Sequence, residues 1–99
     1  MAFYKYHKET VSNDAPDKIG VYYCGELDHL GNLIPHYIGR ALGDEVTVKS
    51  RLLDHLRNDT HWKDATHFHY VLTNSAQETE RLEAEEIKRC KPKYNKLGK

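Results

Sequence analysis

The segments "IGVYYC" (residues 19–24) and "HYIGRA" (residues 36–41) decide how this chain folds. Each combines β-branched or aromatic residues with small ones, a composition typical of β-strands. The hydrophilic stretch between them contains the turn pair Gly31-Asn32, which favours a reversal of chain direction. Pro35 cannot donate a ladder hydrogen bond, so regular pairing of the second segment is expected to begin after it. The two segments are therefore predicted to form an antiparallel hairpin.

Patterns further along the chain predict two helices with a third strand between them. Residues 43–59, "GDEVTVKSRLLDHLRND", carry apolar side chains at helical spacing. Residues 66–73, "THFHYVLT", alternate in the manner of a half-buried strand. Residues 75–90, "SAQETERLEAEEIKRC", return to helical spacing, and Pro92 is expected to end this helix.

These elements predict an α+β fold of order β-β-α-β-α, a small three-stranded antiparallel sheet flanked by helices. Residues 1–18 are polar and rich in turn formers, so they are predicted to form an irregular lead-in to a single domain over residues 19–99. No run approaches the ~20 apolar residues of a membrane span, and the N-terminus lacks a signal-peptide pattern. A cytoplasmic protein without membrane contact is therefore expected.

The charged residues limit how the chain can meet nucleic acid. Fifteen basic and fifteen acidic side chains cancel, which argues against a broad non-specific coat on a polyanion. The bases gather locally in residues 88–99, "KRCKPKYNKLGK", so a basic patch is still expected. Cys24 and Cys90 lack the spacing of a metal or redox motif, and both are predicted to be free, buried thiols.

Glu83 is the most informative anomaly of the second predicted helix. On a helical projection it lies between Cys90 and Ala76, within an apolar stripe that also contains Ile87. Placing a lone carboxylate in a core costs several kcal/mol unless it has a partner or a bound cation. Two interpretations remain open: a partnered, partly exposed glutamate, or a metal-binding or catalytic carboxylate.

The first predicted helix contains a matching anomaly. Arg51 and His55 are four residues apart, so they share a face that borders the apolar stripe. Arg51 either keeps its stem on the core and its charge in water, or serves a function. Tyr22 and Tyr37, taken singly, need no function, because tyrosine is common in strands.

Taken together, five pieces of the sequence resemble the GIY-YIG nuclease family. They are "GVY" at 20–22, "YIG" at 37–39, Arg51, Glu83 and "PKYN" at 92–95, and they follow the order of the family pattern. The resemblance covers nearly the whole chain. It implies a GIY-YIG-like fold and a divalent-metal-dependent endonuclease that hydrolyses DNA phosphodiester bonds. A catalytically inactive nucleic-acid-binding or partner-recruiting module on the same fold is the alternative.

The resemblance also implies roles for single residues. Tyr22 and Tyr37 would stand on adjacent strands in the cleft, Arg51 would be the essential arginine, and Asn95 would brace the site. Glu83 would be the single protein ligand of one Mg²⁺ or Mn²⁺ ion, loaded mainly together with the substrate. Such an ion commonly takes one or two carboxylates plus waters and substrate phosphates.

Three further positions complete the implied site. Gly39 would let the backbone approach closely, and Arg40 takes the place of a lysine or arginine that follows YIG and contacts phosphate. His55 stands where family members carry a tyrosine or histidine. Histidine has a reference pKa of about 6.5 and tyrosine about 10, so His55 rivals Tyr37 as the general base. The resemblance favours Tyr37, which qualifies only if Arg40, Arg51 and the metal lower the pKa of its phenol.

The expected macromolecular partner is DNA. Lys91, Lys93 and Lys96 are candidates for contacts to its backbone. The segments 24–36 and 40–50 are longer than in compact family members, so sequence or structure specificity is expected from them, from a homodimer or from a targeting protein.

Overall fold

The computed structural model describes residues 3–43, 45–58 and 65–95, and gives only the backbone at residues 57 and 58. Within these ranges the strands are β1 (Tyr4–Lys5), β2 (Gly20–Leu27), β3 (Leu33–Ala41) and β4 (His67–Leu72). The helices are α1 (Lys8–Asp14), α2 (Val48–Asn58) and α3 (Ala76–Cys90). The strands form one antiparallel sheet of order β1-β4-β2-β3, so β3 is an edge strand.

The predicted hairpin is confirmed as β2 paired with β3. Its register sets Tyr22 opposite Gly39 and Cys24 opposite Tyr37. The register shifts between Cys24 and Gly25, because Gly25 pairs with Pro35 and leaves His36 as the extra residue of a β-bulge. The expectation that regular pairing begins after Pro35 is wrong, because Leu33, Ile34 and Pro35 are already paired with β2. Proline is tolerated there because β3 is an edge strand and the bulge follows directly.

The α+β class and the predicted helices and strands are confirmed, but the structure has one strand and one helix more than the sequence predicts. Residues 3–18, expected to be irregular, contribute β1 and α1 to the same fold. Strand β1 pairs with β4, and α1 packs beside α2. The pattern did not reveal them because β1 has only two residues and α1 contains a single fully buried apolar residue, Val11.

The sheet separates two apolar layers, since successive side chains of a strand point to opposite faces. Tyr22 and Cys24 of β2 point toward α1 and α2, where Leu52 and Phe68 are also fully buried. Val21 and Tyr23 point toward α3. In small domains most helical stability comes from such packing rather than from intrinsic propensity.

Helix α3 begins as predicted, with Ser75 accepting a hydrogen bond from the Glu78 amide at 3.1 Å. The predicted inward stripe is partly wrong, because Ala76 is exposed. The inward face contains both apolar and polar side chains, namely Thr79, Leu82, Glu83, Glu86, Ile87 and Cys90. The helix therefore turns two carboxylates, and not one, toward the sheet.

Both cysteines are free, as predicted. Cys24 is fully buried, whereas Cys90 is only partly buried, which corrects the expectation for the second thiol. No helix within the ranges that the structure describes combines the length and the apolar character needed to cross a bilayer.

Replacement of Val11 by alanine tests whether the N-terminal segment belongs to the core. The side chain is completely buried, so loss of two methyl groups is expected to lower the free energy of unfolding by about 2 kcal/mol. Urea unfolding measures this change, and Ser12→Ala on the exposed side of α1 is the matched control. An unchanged unfolding midpoint for Val11→Ala would show that α1 does not pack stably on the sheet.

Candidate active site

An open cleft of about 890 Å³ lies along the outer edge of β3, between α2 and α3. Six of the residues singled out from the sequence line it: Tyr22, Tyr37, Arg40, Arg51, Glu83 and Asn95. They come from β2, β3, α2, α3 and the segment after α3. Because β3 is at the edge of the sheet, side chains from both of its faces reach the same cleft.

Gly39 makes room for the tyrosines of the cleft. It lies opposite Tyr22 on the neighbouring strand. A Cβ atom at position 39 would overlap the end of the Tyr22 ring and lie 2.8 Å from Cε2 of Tyr37. The phenol of Tyr22 can cross the strand pair only because position 39 has no side chain.

Tyr22, His55 and Arg51 form a hydrogen-bonded group on the α2 side of the sheet. The hydroxyl of Tyr22 lies 2.9 Å from Nε2 of His55, and Nη2 of Arg51 lies 3.4 Å from the same nitrogen. Tyr22 is 1% exposed, and its burial, together with the nearby Tyr37, raises the pKa of the Tyr22 phenol well above its usual range. Tyr22 therefore stays protonated near neutral pH, and its hydroxyl shares a hydrogen bond with Nε2 of His55 whose direction follows from the tautomer of the ring.

Arg51 carries a fixed positive charge into this group. Burial lowers the pKa of its guanidinium, but the nearby Tyr22, Tyr37 and Asp54 more than offset that effect, so the pKa is raised. The side chain is 36% exposed, with Nη1 3.9 Å from Oδ2 of Asp54. The donors of Arg51 thus face both His55 and the cleft.

Tyr37 is the more accessible of the two tyrosines. It is half-buried, and its ring centroid lies 5.6 Å from that of His55 and 6.3 Å from that of Tyr22. The three rings form one contiguous cluster, with Tyr37 next to the cleft.

Glu83 enters the cleft from the α3 side and meets Arg40 of β3. Nη1 of Arg40 donates to Oε1 of Glu83 at 3.1 Å. The Glu83 side chain is 17% exposed and that of Arg40 is 45% exposed. The carboxylate is thus largely sheltered and has a cationic partner, while it still lines the cleft.

Asn95 forms hydrogen bonds with the edge of β3 beside this ion pair. Its Oδ1 accepts from the Ile38 amide at 2.8 Å, and its Nδ2 donates to the Ile38 carbonyl at 2.9 Å. The amide of Tyr94 also donates to the His36 carbonyl at 2.9 Å. The side chain of Asn95 therefore takes the place of a neighbouring strand at Ile38.

Lys88 was missed by the sequence reasoning. It lines the cleft together with Ala84 and Ile87 of α3, five residues beyond Glu83. Lys88 lies four residues beyond Ala84, so the two share one face of the helix. Taking Glu83, instead of the apolar stripe, as the centre of the inward face would have identified Lys88 from this spacing.

Of the three lysines predicted to contact the DNA backbone, two lie within the described residues. Lys91 has a left-handed backbone, with φ of 47°, at the end of α3. The ammonium of Lys93 lies 5.1 Å from the centroid of the Tyr94 ring. Lys96 lies outside the described residues.

No protein-family model and no curated protein sequence matches the chain. Solved structures of one nuclease domain do match: the GIY-YIG N-terminal endonuclease domain of UvrC from Thermotoga maritima, bound to its catalytic divalent cation, magnesium. It is 28% identical to the chain, covers 90% of this chain and 99% of its own length, and has a TM-score of 0.68. A tyrosine-to-phenylalanine mutant of that domain gives 27% identity, 90% and 98% coverage and a TM-score of 0.69. An asparagine-to-alanine mutant of that domain is 27% identical, covers 89% of this chain and 97% of its own length, and has a TM-score of 0.68. The chain therefore has a nuclease fold.

The raised pKa of the Tyr22 phenol predicts a loss of stability in alkaline solution. Below about pH 10 the phenol is protonated in both the folded and the unfolded chain, so its full contribution is present. Above about pH 10 only the unfolded chain releases this proton, which lowers the free energy of unfolding by up to about 1.4 kcal/mol per pH unit. Urea unfolding between pH 8 and 11 is expected to show a shallower alkaline decline for Tyr22→Phe than for the unaltered chain. Equal slopes would show that Tyr22 ionises normally.

Proposed function

We propose that this chain, which belongs to the GIY-YIG superfamily, is a divalent-metal-dependent endonuclease that hydrolyses DNA phosphodiester bonds in the cleft beside β3. The observation that supports this most strongly is the meeting of Tyr22, Tyr37, Arg51 and Glu83, contributed by four different elements, in one open cleft. A binding module does not need a sheltered carboxylate aimed at the place where a polyanion would lie.

The residues fit a divalent ion held by one carboxylate. The described part of the chain contains no group of three or more His, Cys, Asp or Glu side chains that could hold a metal by themselves. Mg²⁺ keeps several waters and commonly takes one or two carboxylates plus substrate phosphates. Glu83, sheltered yet lining the cleft, is the carboxylate that would hold it. The bound ion would polarise a phosphate oxygen and stabilise the departing oxygen.

Arg51 is proposed to stabilise the negative charge that develops on the phosphate. Its guanidinium is always charged and presents a planar fork of donors suited to phosphate oxygens. It is preorganised by its neighbours, since Nη2 contacts His55 and Nη1 faces Asp54. Removing one such donor typically lowers the rate by about 10²–10³.

Tyr37 is proposed to take the proton from the attacking water as a phenolate, its own proton having passed to solvent and its charge being stabilised by Arg51 and the bound ion. Tyr22 is unsuited to this step, because its burial raises its pKa and its hydroxyl is engaged with His55. The Nε2 nitrogen of His55 is already engaged by that hydroxyl at 2.9 Å. We assign to Tyr22 and His55 the positioning of Tyr37 and Arg51, while His55 remains the rival base.

DNA is the proposed substrate, and the lysines near the end of α3 are proposed to hold its backbone. Lys88 lines the cleft, and Lys91 and Lys93 follow within five residues. Since the formal net charge of the chain is zero, affinity is expected to depend on this local patch and to fall with salt.

Replacement of Glu83 by glutamine is expected to abolish cleavage of supercoiled plasmid in Mg²⁺ or Mn²⁺, because the neutral amide cannot hold the ion. Glu85→Gln is the matched control, since Glu85 is exposed on the same helix and does not line the cleft. Agarose gels separate nicked and linear products. Binding of DNA without cleavage by the unaltered chain would favour the inactive module, and equal cleavage by all three proteins would exclude Glu83 from the reaction.

The general base is identified by comparing Tyr37→Phe with His55→Ala across pH. Tyr37→Phe is expected to slow single-turnover cleavage by at least about 10², within the range typical of a lost acid or base. His55→Ala is expected to lower the rate less and to leave the pH dependence intact. Loss of the rising limb near neutral pH in His55→Ala would assign the base to the histidine instead.

A further inference from the structure

We propose that Arg40 acts as a built-in substitute for the metal, occupying Glu83 until a divalent ion and a phosphate replace it. This inference rests on the metal site proposed for Glu83. It concerns which group neutralises Glu83 while no ion is bound, and which contact the ion replaces when it binds. Arg40 is thereby assigned a positioning role that differs from a simple phosphate contact.

The first support is the geometry of the ion pair. The carboxylate oxygen Oε1 accepts from Nη1 of Arg40 at 3.1 Å, and both residues line the cleft that a metal would enter. The guanidinium fills the space beside Oε1, so an ion bound at this oxygen, or across both oxygens of Glu83, would displace it. An ion at Oε2 would lie close to the same positive charge and be repelled by it. Binding of the ion is therefore favoured when Arg40 moves away.

The second support is the unequal burial of the two partners. Glu83 is 17% exposed and extends from the inner face of α3, so it has little freedom to turn away. Arg40 is 45% exposed, and its backbone is held opposite Val21, one pair from the end of the β2–β3 ladder. The long arginine side chain is thus the partner that can leave, while its Cα atom stays in place.

The third support is the need of the carboxylate for a partner. A sheltered carboxylate without a cation is costly, so an empty metal site would destabilise the cleft. Arg40 supplies the missing charge while no ion is bound. When DNA lies in the cleft, a phosphate becomes the alternative partner of the guanidinium, which suits the planar fork of arginine. Metal and DNA are then expected to favour each other, because each removes one half of the same ion pair.

The test measures Mn²⁺ binding to the free protein, by calorimetry or by the EPR signal of the unbound ion. Arg40→Met removes the charge and retains most of the length of the side chain, and it is expected to bind Mn²⁺ about three- to fivefold more tightly than the unaltered chain. This factor corresponds to the upper range for partly exposed ion pairs. Glu83→Gln is expected to lose the site.

Arg89→Met is the matched control. Arg89 pairs with Glu86 on the same helix at 2.8 Å, yet neither residue lines the cleft. Its removal deletes a second arginine–glutamate pair and the same net charge, so it separates a local exchange at Glu83 from a general change in electrostatic attraction. Mn²⁺ binding by Arg89→Met is expected to stay within about twofold of the unaltered chain.

The same titrations are repeated with duplex DNA, in proteins that also carry Tyr37→Phe to suppress cleavage. The advantage of Arg40→Met is expected to disappear, because phosphate has already drawn Arg40 away from Glu83. An advantage that persists with DNA would overturn the exchange with phosphate. Equal Mn²⁺ affinities of Arg40→Met and the unaltered chain, with binding still lost in Glu83→Gln, would overturn the inference and leave the proposed function intact. Binding unaffected by Glu83→Gln would overturn both.

Discussion

The structure depends on the register of the β2–β3 hairpin, which places Gly39 directly opposite Tyr22. A shift of β3 by one residue would turn Tyr37 to the α3 face and Arg40 to the α2 face, because side chains alternate along a strand. It would also replace Gly39 opposite Tyr22 by a residue with a side chain. Tyr37 would then lose contact with His55, and Glu83 would lose its cation. The register of this one hairpin thus places the phenols on one side of the cleft and the ion pair on the other.

The edge position of β3 explains how groups from opposite faces of a sheet can share one site. In a central strand, residues 37 and 40 would be separated by the sheet itself. At the edge their side chains extend past the backbone, one toward α2 and the other toward α3. The α2 side supplies the Tyr22–His55–Arg51 hydrogen bonds, and the α3 side supplies the carboxylate. The phenol and guanidinium groups therefore enter the cleft from the α2 side of the sheet, and the proposed metal ligand enters it from the α3 side.

Much of this arrangement could be predicted from the sequence, because strong local patterns coincide with the central elements. The hairpin, α2, β4 and α3 each have enough apolar residues to show a period, and Glu83 is conspicuous within such a pattern. Strand β1 and helix α1 are too short to show one, and they are held by long-range contacts such as the hydrogen bond from Tyr6 to the Leu52 carbonyl at 2.8 Å. The ion pair of Arg40 with Glu83 joins residues 43 positions apart on different elements. This ion pair forms only because β3 lies at the edge of the sheet. The order of strands in a sheet cannot be read from the periodicity of apolar residues within one segment.

The hydrogen bonds of Asn95 have a consequence for contacts between molecules. An uncovered edge strand offers a row of N–H and C=O groups that can recruit a strand from another chain. At Ile38 both groups are already satisfied by the Asn95 amide, and at His36 the carbonyl is satisfied by the Tyr94 backbone. At these two residues β3 is therefore closed to strand addition by another chain, while the cleft beside them stays open to a ligand that approaches through side chains.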